Sequence, residues 1–168
     1  MTLNKNTRSA LVRGISLAGA LLAAACTTAT ATEATQGACP ADQVRADAMQ
    51  PPQEGMSPKD VTDTIIAMID LKDYGRDGYL LRTRRLVVQP GGIVPWHSHK
   101  ERPANIYIVE GEITEYQSSC AVPIDHPAGD VTAEHGDLSH WWKNNGDKPA
   151  VLISSDIVPA PMENEQGM

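Results

Sequence analysis

Two histidines stand two residues apart in a stretch rich in β-forming residues. His97 and His99 lie in "IVPWHSH", residues 93–99, and residues i and i+2 of a strand point to the same face. Two neutral imidazoles on one face can both reach a divalent ion, with each ring nitrogen roughly 2.0–2.2 Å from the metal. The alternative is that one histidine is buried and hydrogen-bonded to the backbone, while the other lies at the end of the strand.

A third histidine favours the metal site. His140 lies in "SHWWKNN", a later run of similar composition. All three tryptophans, Trp96, Trp141 and Trp142, stand within two residues of a histidine. This arrangement is typical of a partly apolar pocket that surrounds a few polar ligands. The tryptophans could equally fill the core of a chain that contains no phenylalanine.

The elements that must position these side chains are short apolar runs separated by turn clusters. Because no helical segment lies between them, they predict an antiparallel sandwich or barrel over residues 61–158. Residues 61–71 have a strand-like alternation, although a helix is the alternative there. The six runs are "VTDTIIAMIDL" (61–71), "YLLRTRRLVVQ" (79–89), "IVPWHSH" (93–99), "ANIYIVEGEITEYQ" (104–117, with a turn at Gly111), "LSHWWKN" (138–144) and "PAVLISSDIV" (149–158).

The chain outside this region divides into three further parts. Residues 1–31 are predicted to be a signal peptide, because basic residues precede an apolar run over 14–25 that is too short to span a bilayer; a buried helix is the alternative. Cleavage after Ala31 is favoured over lipid attachment at Cys26, which ends the lipobox-like "LLAAAC". Either route predicts export, to a bacterial periplasm. Residues 32–60 are predicted to be a flexible N-terminal arm, and 159–168 a C-terminal tail.

Charge and cysteine content narrow the possible partners. Cleavage after Ala31 removes three of the 14 basic residues and none of the 21 acidic ones, which leaves a net charge of −10. This charge argues against nucleic acid, and against any membrane contact beyond the lipid anchor at Cys26. Cys39 and Cys120 remain, and an even pair in an oxidising compartment predicts a disulfide between arm and barrel. Two unpaired cysteines are the alternative.

Two spaced motifs resemble those of the cupin superfamily. The first motif is Gly, five residues, His-x-His, three or four residues, Glu, six residues, Gly; the second is Gly, five residues, Pro-x-Gly, two residues, His, three residues, Asn. The matching residues here are Gly91, His97, His99 and Gly111, then Gly129, His140 and Asn144. The resemblance implies an all-β fold, a single cupin-type antiparallel β-barrel (double-stranded β-helix, or jelly roll) behind an N-terminal arm. It also implies a divalent metal held by His97, His99 and His140.

The chain departs from these motifs in ways that bear on the chemistry. Ala104 occupies the position of the first-motif Glu, while His135 and Asp137 replace the Pro and Gly of the second motif. Without a carboxylate ligand the ion would keep its full +2 charge, which favours anionic ligands and hydroxide. A three-histidine site of this kind is similar to that of the thiol dioxygenases, which use Fe(II). The nearest carboxylate is that of Glu101.

Three residues are candidates for a catalytic role beside the metal. Glu101 and His135 are the nearest groups that could act as acid, base or further ligand, and Arg102 could pair with a substrate carboxylate. The alternative for each is a loop side chain that faces solvent. Arg82 and Arg84 share one face of their strand, which parity alone does not assign to the interior.

Three hypotheses about function remain open. The first is an exported metal-dependent enzyme that acts on a small, anionic molecule, with dioxygenase-type chemistry on Fe, or isomerase or lyase chemistry on Zn, Mn or Ni. Fe is favoured among these metals. The second is a non-catalytic cupin that binds a small ligand or metal as a sensor or carrier. The third is a metal-free barrel with structural histidines. Residues 61–71 could also serve as the edge through which a homodimer forms.

Overall fold

The structure is a computed structural model, and it describes residues 37–161. The predicted signal peptide and the lipid-anchor residue Cys26 lie outside the described residues, as do parts of the predicted arm and tail. Three short 3-10 helices occur, at Ala41–Gln43, Gln53–Met56 and Lys72–Tyr74. Among the described residues, no helix has the length and apolar character needed to cross a membrane.

Eight antiparallel strands form a nearly closed barrel. They pair in the order β5-β4-β7-β2-β8-β3-β6, and β1 pairs with β2 beside this path. The all-β fold and the antiparallel barrel are therefore confirmed. The strands are β1 (Lys59–Asp70), β2 (Tyr79–Ser98), β3 (Ala104–Glu110), β4 (Glu112–Gln117), β5 (Ile124–Pro127), β6 (Val131–Glu134), β7 (Ser139–Lys143) and β8 (Ala150–Pro159).

The prediction that residues 79–89 and 93–99 form separate strands is wrong. They belong to β2, a single strand of 20 residues that continues through Pro90–Gly92. Its first half pairs with β8 from Tyr79 to Val88, and its second half pairs with β7 from Ile93 onward. Gly91, with φ of +73°, lies where the partner changes. The glycines therefore bend one strand from β8 to β7, and so carry the two histidines into a different part of the barrel.

The core lies inside the barrel. Ala104, Ile106 and Ile108 of β3 are buried, whereas Asn105 and Tyr107 between them are exposed. This alternation is that of a strand with one buried face. Further buried apolar side chains come from neighbouring strands: Leu86, Val88, Ile113, Trp142, Ala150 and Leu152. Inward-facing positions therefore lie either in this apolar core or around a polar site.

The described part of the arm is tied to the barrel. Cys39 and Cys120 form a disulfide across 81 positions of the chain. Val44 forms a β-bridge with Cys120, and backbone hydrogen bonds join residues 43–48 to residues 118–121. The arm from residue 37 is thus attached to the barrel by both covalent and backbone contacts.

Candidate metal centre

Three histidines from adjacent strands meet inside the barrel. His97 of β2 and His140 of β7 are direct cross-strand partners. His99 follows β2, and its backbone N–H donates to the carbonyl of Leu138 at 2.8 Å, which continues the pairing. The Nε2 atoms lie 2.9 Å apart for His97 and His99, 3.0 Å for His99 and His140, and 3.1 Å for His140 and His97. The structure therefore brings together all three histidines that the sequence nominated.

The other ring nitrogen of each histidine has a hydrogen-bond acceptor. Nδ1 of His97 donates to the carbonyl of Pro95 at 2.8 Å, and Nδ1 of His99 donates to the carbonyl of Arg102 at 2.8 Å. Nδ1 of His140 contacts the carboxylate of Glu115. Because carbonyls and carboxylates only accept, each Nδ1 carries the hydrogen and each Nε2 keeps its lone pair. Three lone pairs are thus directed at one point.

The expectation of a site without a carboxylate is wrong. Glu134 at the end of β6 is 1% exposed, and its Oε2 lies 2.9 Å from Nε2 of His99 and 3.5 Å from Nε2 of His140. Its other oxygen, Oε1, is one of three buried side-chain atoms in the described chain without a hydrogen-bond partner. The cluster is therefore three histidines and one glutamate, His97, His99, Glu134 and His140.

Glu134 offers a carboxylate from the strand beside the position where the motif Glu is missing. Ala104, at the position of the first-motif Glu, is the direct cross-strand partner of Glu134. Residues directly opposite in an antiparallel pair have Cβ atoms about 5 Å apart, which a glutamate side chain spans. A local signal existed: in "VTAE" (131–134), Thr132 and Glu134 share the buried face. That parity could have nominated Glu134 ahead of its exposed neighbour His135.

The donor set fits a divalent transition metal. All four ligand atoms lie within 4.8 Å of one another. Two nitrogens at a right angle around one ion, each roughly 2.1 Å from it, are about 3.0 Å apart, close to the separations of the three Nε2 atoms. Burial, and next the charge of His140, lower the pKa of His97 to about 3, so this imidazole is neutral at pH 7 and available as a ligand. One donor reaches the cluster from elsewhere: Nε1 of Trp142 donates to Nε2 of His140 over a long 3.4 Å.

A cavity of about 250 Å³ adjoins this cluster. This volume lies below the roughly 300–1,000 Å³ of pockets that hold drug-sized ligands, so the cavity suits a smaller molecule. His97, His99 and Glu134 line part of it, and Arg84 and Arg102 contribute guanidinium groups. The apolar walls are Leu86, Val94, Pro95, Ile106, Trp142 and Leu152. A ligand in this cavity would meet the proposed metal, two cations and an apolar surface.

An arginine cluster surrounds one buried carboxylate at this cavity. Asp156 is 1% exposed and receives two hydrogen bonds from Arg82, from Nε at 3.0 Å and from Nη2 at 2.8 Å. Arg84 reaches the same carboxylate at 3.4 Å and Arg102 at 3.5 Å, while Arg84 also pairs with Asp63. Three cations thus face two carboxylates. The predicted shared face of Arg82 and Arg84 is the one directed at Asp156.

Arg102 is the least compensated of these cations. Its guanidinium makes a single 3.5 Å contact with Asp156, and its side chain is 23% exposed. Burial, and next the charge of Arg84, lower its pKa from the ordinary value. Nε of Arg84 is buried without a partner. An anion between Arg84 and Arg102 would satisfy both groups.

The remaining catalytic candidates lie away from the cluster. Glu101 is exposed in the loop after β2, and His135 is exposed in the loop after β6. Neither belongs to the metal-binding group or to the lining of the cavity. For these two residues the structure supports the alternative of loop side chains. Arg102, by contrast, lines the cavity rather than facing solvent.

The fold and the histidine cluster define a class of protein. The family profile described as "Cupin domain" matches residues 84–156, which run from β2 to β8. Residues 84–156 therefore form a cupin domain.

The individual proteins that resemble this chain have low sequence identity to it or cover only part of it. The auxin-binding protein ABP19b of Prunus persica is 31% identical over 90 residues, which are 52% of this chain and 43% of that protein. A structure described as a predicted oxalate decarboxylase from Thermotoga maritima has a TM-score of 0.49 at 19% identity, covering 66% of this chain and 99% of that one. The cupin domain of Schizosaccharomyces pombe Cnp3 has a TM-score of 0.48 at 12% identity, covering 70% and 74%.

Proposed function

We propose that this cupin holds a divalent transition metal through His97, His99, His140 and Glu134, and binds a small anionic molecule beside it. The observation that carries the proposal is the convergence of three Nε2 lone pairs, 2.9–3.1 Å apart, next to a buried carboxylate. Acceptor atoms at such distances repel one another unless a cation lies between them. A metal ion at the centre would relieve this repulsion among all four ligand atoms at once, whereas a proton on one Nε2 would relieve it for one pair only.

Metal analysis tests the metal site. Purified protein is expected to bind one divalent ion per chain, whether Mn(II), Fe(II), Zn(II) or Ni(II) is supplied. His97→Ala and His140→Ala should lose that ion, and His135→Ala is the matched control because His135 is exposed. Full metal content in His97→Ala and His140→Ala would show that the site is assigned wrongly.

The arginines support an anionic ligand. A divalent ion with one carboxylate ligand keeps a net charge of +1, and the arginine cluster adds a further excess of one cation over Asp156 and Asp63. The walls between them are apolar. We therefore expect a small mono- or dicarboxylate, with one end on the metal and an anionic group on Arg84 and Arg102.

Calorimetry on the metal-loaded protein tests this ligand class. Across a series of two- to six-carbon carboxylates, Arg102→Gln should weaken binding about 10- to 100-fold, since a hydrogen bond to a charged group contributes roughly 1.5–3 kcal/mol. Arg85→Gln is the control, because Arg85 is exposed. If both variants bind these carboxylates as the wild type does, the arginines are structural.

The side chains of the cavity narrow the function to two outcomes. A bound Fe(II) or Mn(II) ion would supply redox chemistry with oxygen, and Zn(II) would supply Lewis acidity. Apart from the proposed ligands and two arginines, the described lining holds one titratable side chain, Asp63, which is paired with Arg84. This favours dioxygenase-type chemistry centred on the metal, and equally the alternative of a non-catalytic carrier or sensor. Oxygen uptake by the Fe(II)-loaded protein with carboxylates that bind separates the two.

Export is part of the same proposal. It is supported by the signal-like N-terminus and by the Cys39–Cys120 disulfide, since such bonds persist in oxidising compartments. Mass spectrometry of the mature protein should find an N-terminus at residue 32. A lipid-modified Cys26 would indicate anchoring instead, and an intact N-terminus in the cell would contradict export.

A further inference from the structure

A line of buried polar side chains leads from His140 into the barrel wall. Glu115 contacts Nδ1 of His140 through Oε1, and its Oε2 accepts from Nε2 of His126 at 3.0 Å and from Gln117 at 2.7 Å. Nδ1 of His126 donates to Asp130 at 2.7 Å. The side chains of Glu115, His126 and His140 are 0% exposed, and that of Asp130 is 8% exposed.

Strand order builds this line. β4 lies between β5 and β7, and pairs Ile113 with His126 on one side and Gln117 with His140 on the other. Glu115 stands midway between these two positions, so its two oxygens reach both histidines. None of Glu115, His126 and Asp130 lines the cavity. Any effect they have on a bound ligand must therefore pass through His140 or through Trp142, a cavity residue whose ring centroid lies 4.8 Å from that of His126.

Both nitrogens of His126 face carboxylates. Because a carboxylate only accepts, each nitrogen carries a hydrogen, and the ring is an imidazolium between two anions. Burial lowers the pKa of His126, but the hydrogen bonds and charges of Glu115 and Asp130 outweigh it and raise the pKa overall. The line thus alternates anion, cation and anion.

Stability alone is a weak reason for such a network. Buried ion pairs are often no more stabilising than apolar residues of the same volume. This network is fully hydrogen-bonded, however, and it ends on a proposed metal ligand. Carboxylates behind metal-bound histidines fix the ring orientation and raise the basicity of the ligand.

We propose that His126 is a positioning residue for the metal: it holds Glu115 against Nδ1 of His140, and Asp130 holds His126 in turn. Glu115 then fixes the tautomer and the ring angle with which His140 presents Nε2. This inference rests on the proposed metal site and adds to it a residue that touches neither metal nor cavity.

Gly37 of the N-terminal arm packs against His126 and Asp130, at the end of this line away from His140. Gly37 has φ of +81°, and a Cβ at this position would lie 1.9 Å from Oδ2 of Asp130 and 2.4 Å from Nδ1 of His126. Only glycine fits there without displacing the hydrogen bond between these two side chains. The disulfide at Cys39, two residues on, holds this contact in place.

A pair of conservative variants tests the proposal. The amide of Gln at position 126 can replace the Nε2 donor to Glu115, whereas that of Asn can replace only the Nδ1 donor to Asp130. Metal affinity, measured by chelator competition, should fall about 10- to 100-fold in His126→Asn and stay within about threefold of wild type in His126→Gln. Urea unfolding of the metal-free proteins should be similar for both variants, because both lose the imidazolium.

Gly37→Ala is a second probe that leaves every polar group in place. It should weaken metal binding and shift the visible absorption of the Co(II)-loaded protein. Gly78→Ala is the matched control, because Gly78 has φ of +77° and open space around its Cβ position. A Co(II) spectrum and affinity unchanged in both Gly37→Ala and His126→Asn would overturn the proposal, as would equal weakening by Asn and Gln at position 126.

Failure of the inference is distinguishable from failure of the metal site. If the wild-type protein binds no metal, both the proposed metal site and the positioning role of His126 are wrong. Only the positioning role is wrong if the wild type binds metal, His97→Ala does not, and His126→Asn binds metal as tightly as the wild type.

Discussion

Glu134→Gln is expected to make the metal-free protein more stable while abolishing its response to metal. Glu134 is 1% exposed, its Oε1 has no partner, and its Oε2 lies 2.9 Å from Nε2 of His99. Nδ1 of His99 carries the hydrogen, since it donates to a backbone carbonyl. Without an ion, a carboxylate oxygen and a nitrogen lone pair therefore face each other in the barrel interior.

The magnitude follows from this mismatch. Leaving a buried acceptor unsatisfied costs about 1–3 kcal/mol, and more for a charged group. Glutamine has nearly the same shape, and its amide can donate to Nε2 of His99. The variant should gain roughly 1–3 kcal/mol in the free energy of unfolding, or roughly 3–5 °C in Tm for each kcal/mol. With metal at 1,000 times its Kd the wild type gains about 4.1 kcal/mol, which exceeds the gain of the variant and which the variant lacks.

Urea unfolding at pH 8, where free imidazole is neutral, measures both effects. Unfolding curves are recorded with a chelator and with saturating Mn(II) for the wild type, Glu134→Gln and the control Glu101→Gln, whose parent residue is exposed. The order of stability of wild type and Glu134→Gln should reverse when metal is added. A Glu134→Gln protein less stable than wild type in chelator, or stabilised equally by Mn(II), would refute the assignment of Glu134 as a ligand.

Three further predictions concern the carboxylate, the disulfide and β1. Because Ala104 faces Glu134, adding Ala104→Glu to Glu134→Ala should restore the metal binding that Glu134→Ala loses; chelator competition checks this. Replacing Cys39 and Cys120 by alanine should lower the free energy of unfolding in urea by about 4.5 kcal/mol, the chain-entropy value for an 81-residue loop, and a loss below about 1 kcal/mol would contradict it. Ile66 on β1 is 54% exposed, and we expect it to lie in a homodimer interface. Light scattering should therefore find a dimer in the wild type and a monomer in Ile66→Lys. A monomeric wild type would contradict this prediction.

Much of the fold could be predicted because its signals are local. Alternation places Ile106 inside and Tyr107 outside, and glycine at 111 marks the turn between β3 and β4, where φ is +75°. The bend at Pro90–Gly92 could not be separated from a turn in this way. Proline and glycine mark both, and the choice depends on β7 and β8, which lie far along the chain.

The arginine cluster shows the same division between local and distant information. Parity along β2 puts Arg82 and Arg84 on one face, but the partner that decides their role is Asp156, 74 residues beyond Arg82. Nothing in the sequence around Arg102 shows that its guanidinium turns toward the same carboxylate rather than toward solvent. Long-range pairing of β2 and β8 supplies that information.

The fourth candidate ligand was missed because a motif counts residues along one strand, whereas a metal site depends on atoms gathered in space. Spacing assigns the carboxylate to position 104, which is alanine, yet position 134 on the adjacent strand lies directly opposite. A glutamate there reaches the same region of the barrel. It also changes the expected chemistry, because a divalent ion bound with Glu134 carries a net charge of +1 rather than +2. The similarity to carboxylate-free thiol dioxygenases therefore no longer holds, and the attraction for an anionic ligand depends on Arg84 and Arg102 as much as on the metal.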